Sequence, residues 1–363
     1  MEQGDDHPIQ MSKHLDHMSN APLISLDMGF TTSTAAVYDP RAVVNSRPQL
    51  RIVYKFPTEL LVTTPCDGAG RATFEFVSPA NESHVPLGSV GDANQRRLKY
   101  LKTLLMDREL RTITNTRARE HVSNAIKGFR LPTRPKNAVA IFISGLWKEA
   151  LTRLPSENNS SAGNTSQKPH AVITYPGNWN EEELNQLEKA VEQANIKADT
   201  CPYCPISYCT EQEAALHAVL VDHEETLHAV RNEGGTILVV DCGGLTADAA
   251  TYTFHKPQEM GSKSSPGEVG RVDSCFFGGT TLDTAFDDQM VKYSRGVLGR
   301  IDDEFACEIR ADRDNFLERW ETIIKPTFSG DNGYNEDLSF RLANKQKCIV
   351  IRRLNPSNYS IFN

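Results

Sequence analysis

The chain has 363 residues, with 47 acidic against 39 basic side chains and a net charge of −8 spread without long like-sign blocks. That balance excludes the basic footprint needed to hold nucleic acid or an anionic membrane surface, and at about 150 residues per domain the length suits two domains or one bilobal unit. The longest apolar run, Ala138 to Trp147, falls short of the about 18 residues a membrane span needs and is followed by Lys148 and Glu149. The expected setting is soluble, reducing and cytoplasmic, with the eight cysteines mostly free.

Residues 1–20 are polar, carry His7, His14 and His17, and lack both periodicity and an apolar signal core, so they read as a disordered leader. Leu23 to Asp27, the turn containing Gly29, and Ser33 to Tyr38 read as strand, tight turn, strand. Between 45 and 90 the strand-like pieces Arg51 to Phe56 and Ala72 to Val77 stand between Pro and Gly breaks, which suits an inserted subdomain covering about 45–130. Asn94 to Met106 and Asn115 to Phe129 carry a helical pattern. Lys136 to Leu154 is a better helix, with Val139, Phe142, Ile143, Leu146, Ala150 and Leu151 on one face and Pro155 closing it.

Residues 156–169, SENNSSAGNTSQKP, form a low-complexity loop that its neighbours tolerate, because closure entropy grows by only about 0.6 kcal/mol per doubling of length. Ala171 to Tyr175 reads as a strand, Pro176-Gly177 breaks it, and the next helix has Asn180 as N-cap with Glu183 completing a capping box. Its buried side chains are expected to be Leu184, Leu187, Val191 and Ala194, while Glu181, Glu182 and Glu183 complement the helix dipole. A second strand, turn and strand spans Thr236 to Phe254. A helix from Leu282 to Tyr293 follows Gly278-Gly279, another runs to about Phe328, and Cys348 to Arg352 reads as a strand. The expected division is a first lobe at 21–227, a partial second lobe at 228–330 and an atypical tail at 331–363.

One design occurs twice. LISLDMGFTT, centred on Asp27, and ILVVDCGGLT, centred on Asp241, each place an apolar strand, an Asp, a Gly turn and a Thr before a returning strand. Glycine lets backbone N–H groups approach phosphate oxygens, and a concave set of such groups binds anions. That singles out Gly29, Thr31 and Thr32 in the first turn and Gly243, Gly244 and Thr246 in the second. An Asp at the strand end repels phosphate but can hold a hydrated Mg2+, which takes one or two carboxylates and keeps its waters. Asp27 and Asp241, one from each lobe, would flank such an ion. Two ordinary Gly hairpins are the competing reading. Neither GxxxxGK[ST] nor GxGxxG occurs, so neither a P-loop nor a Rossmann turn supplies the phosphate site.

With these motifs the sequence resembles the nucleotide-binding domain of the heat-shock protein 70 family, within the actin, hexokinase and heat-shock ATPase superfamily. The resemblance covers about 22–330. LDMGFTT and VVDCGGLTAD resemble the family's two phosphate motifs, and TEQEAAL its connecting segment, with Glu211 in the glutamate's place. KYLKTLLMD is similar to its lysine-bearing helix, with Lys102 at the lysine. ITYPGNWNEEELNQLEKAVEQANI and FFGGTTLDTAFDDQM resemble its Pro turn and its Gly-Gly turn, the latter at Gly278 and Gly279. The resemblance implies an α/β, actin-like ATPase fold of duplicated ribonuclease-H-like lobes, with the second lobe incomplete. It implies ATP or ADP with Mg2+ as cofactors, and Lys102, Glu211 and Asp248 as the residues that position water and stabilise charge during hydrolysis. As partners it implies adenine nucleotide together with co-chaperones or client proteins.

Phe30 stands where the family usually has a hydroxyl residue, and Leu245 replaces the third glycine of the second turn. After about 330 the family's adenosine turn is not readable, nor is a peptide-binding domain. Glu321 and Lys325 lie where a family helix faces adenosine, but their spacing matches poorly and suits a solvated face. Two further readings stand beside an ATPase of chaperone type. One is a non-hydrolysing scaffold or interaction protein. The other is a thiol-disulfide oxidoreductase using Cys201-Pro202-Tyr203-Cys204, with Cys209 nearby, although Pro205 and a strand follow where a helix N-terminus would be needed. Sugar kinases share the two phosphate turns, but Lys102 and Glu211 match the chaperone branch.

Overall fold

A computed structural model of the chain describes residues 21–44, 47–63, 72–77, 95–106, 136–154, 168–201, 205–255, 266–285, 338–341 and 348–351. The expected leader, the helix at 115–129, the loop at 156–167, the helices beyond 285, Glu321 and Lys325 lie outside these residues, as do Pro202 to Cys204.

Strict alternation builds the first lobe. In β1 (Leu23–Met28) Ile24, Leu26 and Met28 point into the core, which leaves Ser25 and Asp27 on the opposite face. β1 pairs antiparallel with β2 (Thr32–Val44), and β2 with β3 (Arg47–Pro57), so the first strand of the stretch read as an insert belongs to the main sheet. β4 (Glu59–Thr63), β5 (Thr73–Phe76) and β6 (Gln95–Lys99) form a separate three-stranded sheet. On the other side of β1 lie β7 (His170–Tyr175) and β8 (Ser207–Thr210), both parallel, completing the order β3-β2-β1-β7-β8.

The helix expected over Asn94 to Met106 is not there. Its first half is β6, and its second half is a 3-10 turn over Leu101–Leu105. Pairing decides this. The open edge of β4 accepts Gln95 to Lys99 antiparallel, and Arg97 closes an ion pair with Glu59. Tyr100 then takes a left-handed conformation, φ 58°, which ends the strand and starts the turn that carries Lys102.

α1 (Lys136–Leu151) is shorter than expected by three residues, because Arg153 and Leu154 close it through bonds to the carbonyls three residues back. It packs on β1, β2, β4 and β5 through the predicted face, with Val139, Phe142, Ile143, Leu146 and Ala150 buried, Leu151 partly buried, and Trp147 added. Full burial of one such side chain stabilises by about 1.5–3 kcal/mol. α2 (Glu181–Gln193) has the predicted capping box: the Asn180 side chain accepts from the N–H groups of Glu182 and Glu183, and Glu183 accepts from the Asn180 N–H at 2.8 Å.

α3 (Glu211–Asp222) bridges the two sheets. Its N-terminus abuts β7 and β8, while Leu216 and Leu220 pack on the second sheet against Ala250, Tyr252 and Phe254, beside α4 (Glu224–Glu233). That sheet comprises β9 (Gly235–Cys242), β10 (Ala247–Phe254), β11 (Pro266–Glu268) and β12 (Asp273–Cys275), all antiparallel. A terminal hairpin pairs β13 (Leu338–Arg341) with β14 (Cys348–Ile351), so the predicted strand at 348 has a partner that the sequence did not disclose. The α/β architecture expected of an actin-like ATPase fold is thus present in the described residues, with the hairpin β1–β2 echoed by β9–β10. None of the described helices is long and apolar enough to cross a membrane.

Candidate functional site

The two motif turns are equivalent in register as well as in sequence. The last pair of the first hairpin is Met28 with Ser33, and of the second Cys242 with Ala247, so Gly29 to Thr32 and Gly243 to Thr246 are loops of the same length. Asp27 and Asp241 hold the same place, one step before the turn. The turns also meet: Gly244 lies so close to Thr31 that an added Cβ would overlap the threonine hydroxyl. Leu245, at the position of the missing glycine, is buried in the larger apolar core with Ile24, Leu26 and Met28 and so ties the second turn to the first sheet.

Each carboxylate owes its surroundings to strand register. Thr174, on β7 beside the end of β1, donates from Oγ1 to Asp27 Oδ1 at 2.7 Å. Asp241 and Asp248 are direct partners on β9 and β10, a like-charge pairing that is ordinarily unfavourable. Burial first, then Asp248 and Asp27, push the Asp241 carboxyl above its usual range, while Lys102 opposes them. Asp248 is buried; Thr246 Oγ1 donates to its Oδ2 at 2.8 Å, and its Oδ1 has no partner among the described residues.

Lys102 is 1% exposed and ion-paired with Glu211, the first residue of α3. Its ammonium lies 5.0 Å from the centre of the Phe30 ring and 5.6 Å from that of Trp179. Desolvation raises the Glu211 carboxyl to about 7; Lys102 pulls it back, and Asp27 and Asp241 push it further up. Four carboxylates from β1, α3, β9 and β10 therefore share one electrostatic neighbourhood with Lys102. The next residue, Gln212, is fully buried; its Oε1 accepts from Gly177 N–H at 3.1 Å and its Nε2 has no partner among the described residues.

These residues suit a hydrated divalent cation. Asp248 Oδ1 is buried and unpartnered among the described residues, burial and then the charges of Asp248 and Asp27 raise the Asp241 carboxyl, and a cation would relieve both. Among the described residues no group of three His, Cys, Asp or Glu is placed to ligate an ion directly.

Of the predicted residues, Asp27, Gly29, Thr31, Lys102, Glu211, Asp241, Gly243, Gly244, Thr246 and Asp248 belong to this assembly. Thr32 is exposed at the end of its turn. Gly278 and Gly279 are used differently from the expectation. Their N–H groups, with that of Thr280, donate to the carbonyls of Leu245, Gly243 and Gly244 at 2.7–3.1 Å, so they brace the second turn instead of facing a phosphate. Thr174, Trp179 and Gln212 were not anticipated. Alternation along β7 was a signal for Thr174; none existed for the other two. Cys209 lies near by, but burial, then Glu213, Asp27 and Glu211, raise its thiol to about 11, which disfavours the nucleophilic thiolate. A groove of about 760 Å3 between β5 and α1, lined by Phe74, Ile141 and Lys148, contains none of these groups.

No protein-family model matches the sequence, and no curated protein matches it. Among solved structures the chain is similar to MreB 5 of Spiroplasma citri bound to AMPPNP, at 14% identity and a TM-score of 0.46, over 91% of this chain and 70% of that one. It is also similar to a non-polymerising MamK mutant bound to AMPPNP, at 12% identity and TM-score 0.39, over 92% and 73%. A third is a ParM filament from Clostridium botulinum, at 13% identity and TM-score 0.39, over 76% and 70%.

Proposed function

We propose that the chain binds an adenine nucleotide by its phosphates between the turns at Gly29 to Thr31 and Gly243 to Thr246, and hydrolyses ATP slowly. The observation that carries this reading is the duplicated hairpin, which brings Asp27 and Asp241 in matching register to one place beside the Lys102–Glu211 pair. Mg2+, when bound through its waters by Asp27 and Asp241, would supply charge neutralisation of the phosphates. Around it, Thr31 donates a hydrogen bond, Thr246 holds Asp248 through its hydroxyl, and Glu211 orients water. In hydrolysis the bond from the water oxygen to the γ-phosphorus forms, the bond from that phosphorus to the bridging oxygen breaks, and ADP, inorganic phosphate and a proton leave. A chaperone-type role with co-chaperones or client proteins as partners rests on the sequence resemblance alone. A cytoplasmic location suits the free thiols of Cys201, Cys209, Cys242 and Cys275.

A specific observation favours the second reading, a nucleotide-binding scaffold without turnover. The N–H groups of Gly278 to Thr280 are committed to the second turn, and Phe30 occupies the first. Thermal unfolding with and without millimolar Mg-ATP tests nucleotide binding, and phosphate release then separates enzyme from scaffold. Ligand at 100 times its dissociation constant stabilises by about 2.7 kcal/mol, a rise of roughly 5–10 °C for a domain of this size. The rise should vanish in Asp241→Ala. A wild-type transition that Mg-ATP leaves unmoved would refute the pocket.

A further inference from the structure

Lys102 is enclosed by groups from three distant parts of the chain. Phe30 comes from the first phosphate turn, Trp179 from the turn after β7, and Glu211 from the start of α3. Both ring centres are within the roughly 6 Å over which an aromatic face attracts an ammonium, and both aromatic residues are buried, at 5% and 8% exposure. Phe30 is anchored in the first lobe's core. Its register equivalent in the second hairpin is Gly244, which has no side chain, so the ring is a feature of one turn only. Phe30 belongs to the turn where phosphate would sit, and its ring faces the ammonium that would stabilise the terminal phosphate.

We propose that Phe30 and Trp179 are positioning residues that box the Lys102 ammonium against Glu211 and withhold it from a bound nucleotide's terminal phosphate, with Phe30 setting the turnover rate. The inference deepens the nucleotide-pocket reading and rests on it for its kinetic consequence; the box itself does not depend on nucleotide. Binding uses the backbone and hydroxyl groups of the turns and proceeds with the box closed. Hydrolysis requires the ammonium to leave two aromatic faces and a carboxylate, so it is slow until the box opens. If Phe30 merely fills core space around the lysine stem, an apolar residue of similar bulk would serve equally well.

Two readouts on the full chain separate these possibilities. Without nucleotide, amine acylation by an N-hydroxysuccinimide acetate is followed peptide by peptide, with exposed Lys148 as internal reference. Phe30→Thr should speed acylation of Lys102 about tenfold relative to Lys148, and Phe30→Leu, which keeps bulk but loses the ring, about threefold. With saturating Mg-ATP, Phe30→Thr should raise kcat about tenfold while leaving KM within about twofold. Unchanged Lys102 acylation in folded Phe30→Leu overturns the box, whatever Phe30→Thr does. Faster acylation with unchanged kcat overturns the withholding role. If Phe30→Thr fails to fold, Phe30→Leu decides both points. If the wild-type protein binds no nucleotide, the pocket reading has failed, and acylation still decides the box.

Discussion

Replacing Lys102 with methionine keeps most of the stem and deletes the charge, which leaves Glu211 nearly buried without its partner. Glu211 has a folded pKa raised from 4.5 to about 7. An acid raised in this way binds more protons folded than unfolded between those values, so its stabilising contribution is present below the unfolded pKa and is lost as pH climbs through 7. In Lys102→Met the influence that pulls the carboxyl down is gone, while burial, Asp27 and Asp241 still push it up. The loss therefore continues above 7 in the variant, whereas it levels off in the wild type. Near pH 6 the carboxyl is largely protonated in both proteins, and the substitution should cost the aromatic contacts of the ammonium, about 1–2 kcal/mol. One pH unit above 7 it should cost about 1.4 kcal/mol more, approaching the 3–5 kcal/mol typical of a broken buried pair. Urea unfolding at the two pH values, run on Lys102→Met, Glu211→Gln and the double variant, isolates the coupling. An equal loss at both pH values, or a pH dependence that survives Glu211→Gln, refutes the reasoning.

Gly244→Ala should wedge the two turns apart, because its Cβ overlaps Thr31; the expected loss is about 1–3 kcal/mol in urea unfolding, together with a smaller thermal rise on adding Mg-ATP. An unchanged nucleotide response would show that contact between the turns does not matter to binding. Asn180→Ala removes the side chain that caps α2 at two N–H groups and should lower stability by about 1 kcal/mol with the Mg-ATP response intact. A weakened response in this variant would mean that α2 does more than support the sheet.

What the sequence made legible was local. The hairpins at Asp27 and Asp241 were readable because apolar alternation, an Asp and a Gly turn repeat within ten residues each, and the structure returns them as β1–β2 and β9–β10 with loops of equal length. The helix over 136–151 was readable because six apolar positions recur on one face, and the capping box at Asn180 because both of its hydrogen bonds close within three residues. Asn94 to Met106 was misread because QRRLK has residues common in helices; it becomes a strand only when β4 offers an edge and Glu59 offers Arg97 a partner.

The site divides in the same way. Sequence by itself determined that two Asp-Gly-Thr turns exist and that Lys102 and Glu211 are candidates to stand beside them. Only the tertiary structure decided that Asp241 faces Asp248, that Gly278 and Gly279 spend their N–H groups on the neighbouring turn, and that the Lys102 ammonium is held by Phe30, Trp179 and Glu211. The reason is range. Turn chemistry and helix caps depend on dihedral angles and hydrogen bonds among neighbours in sequence, whereas the charge state and reach of a buried lysine depend on burial and on groups that meet it only after the chain has folded.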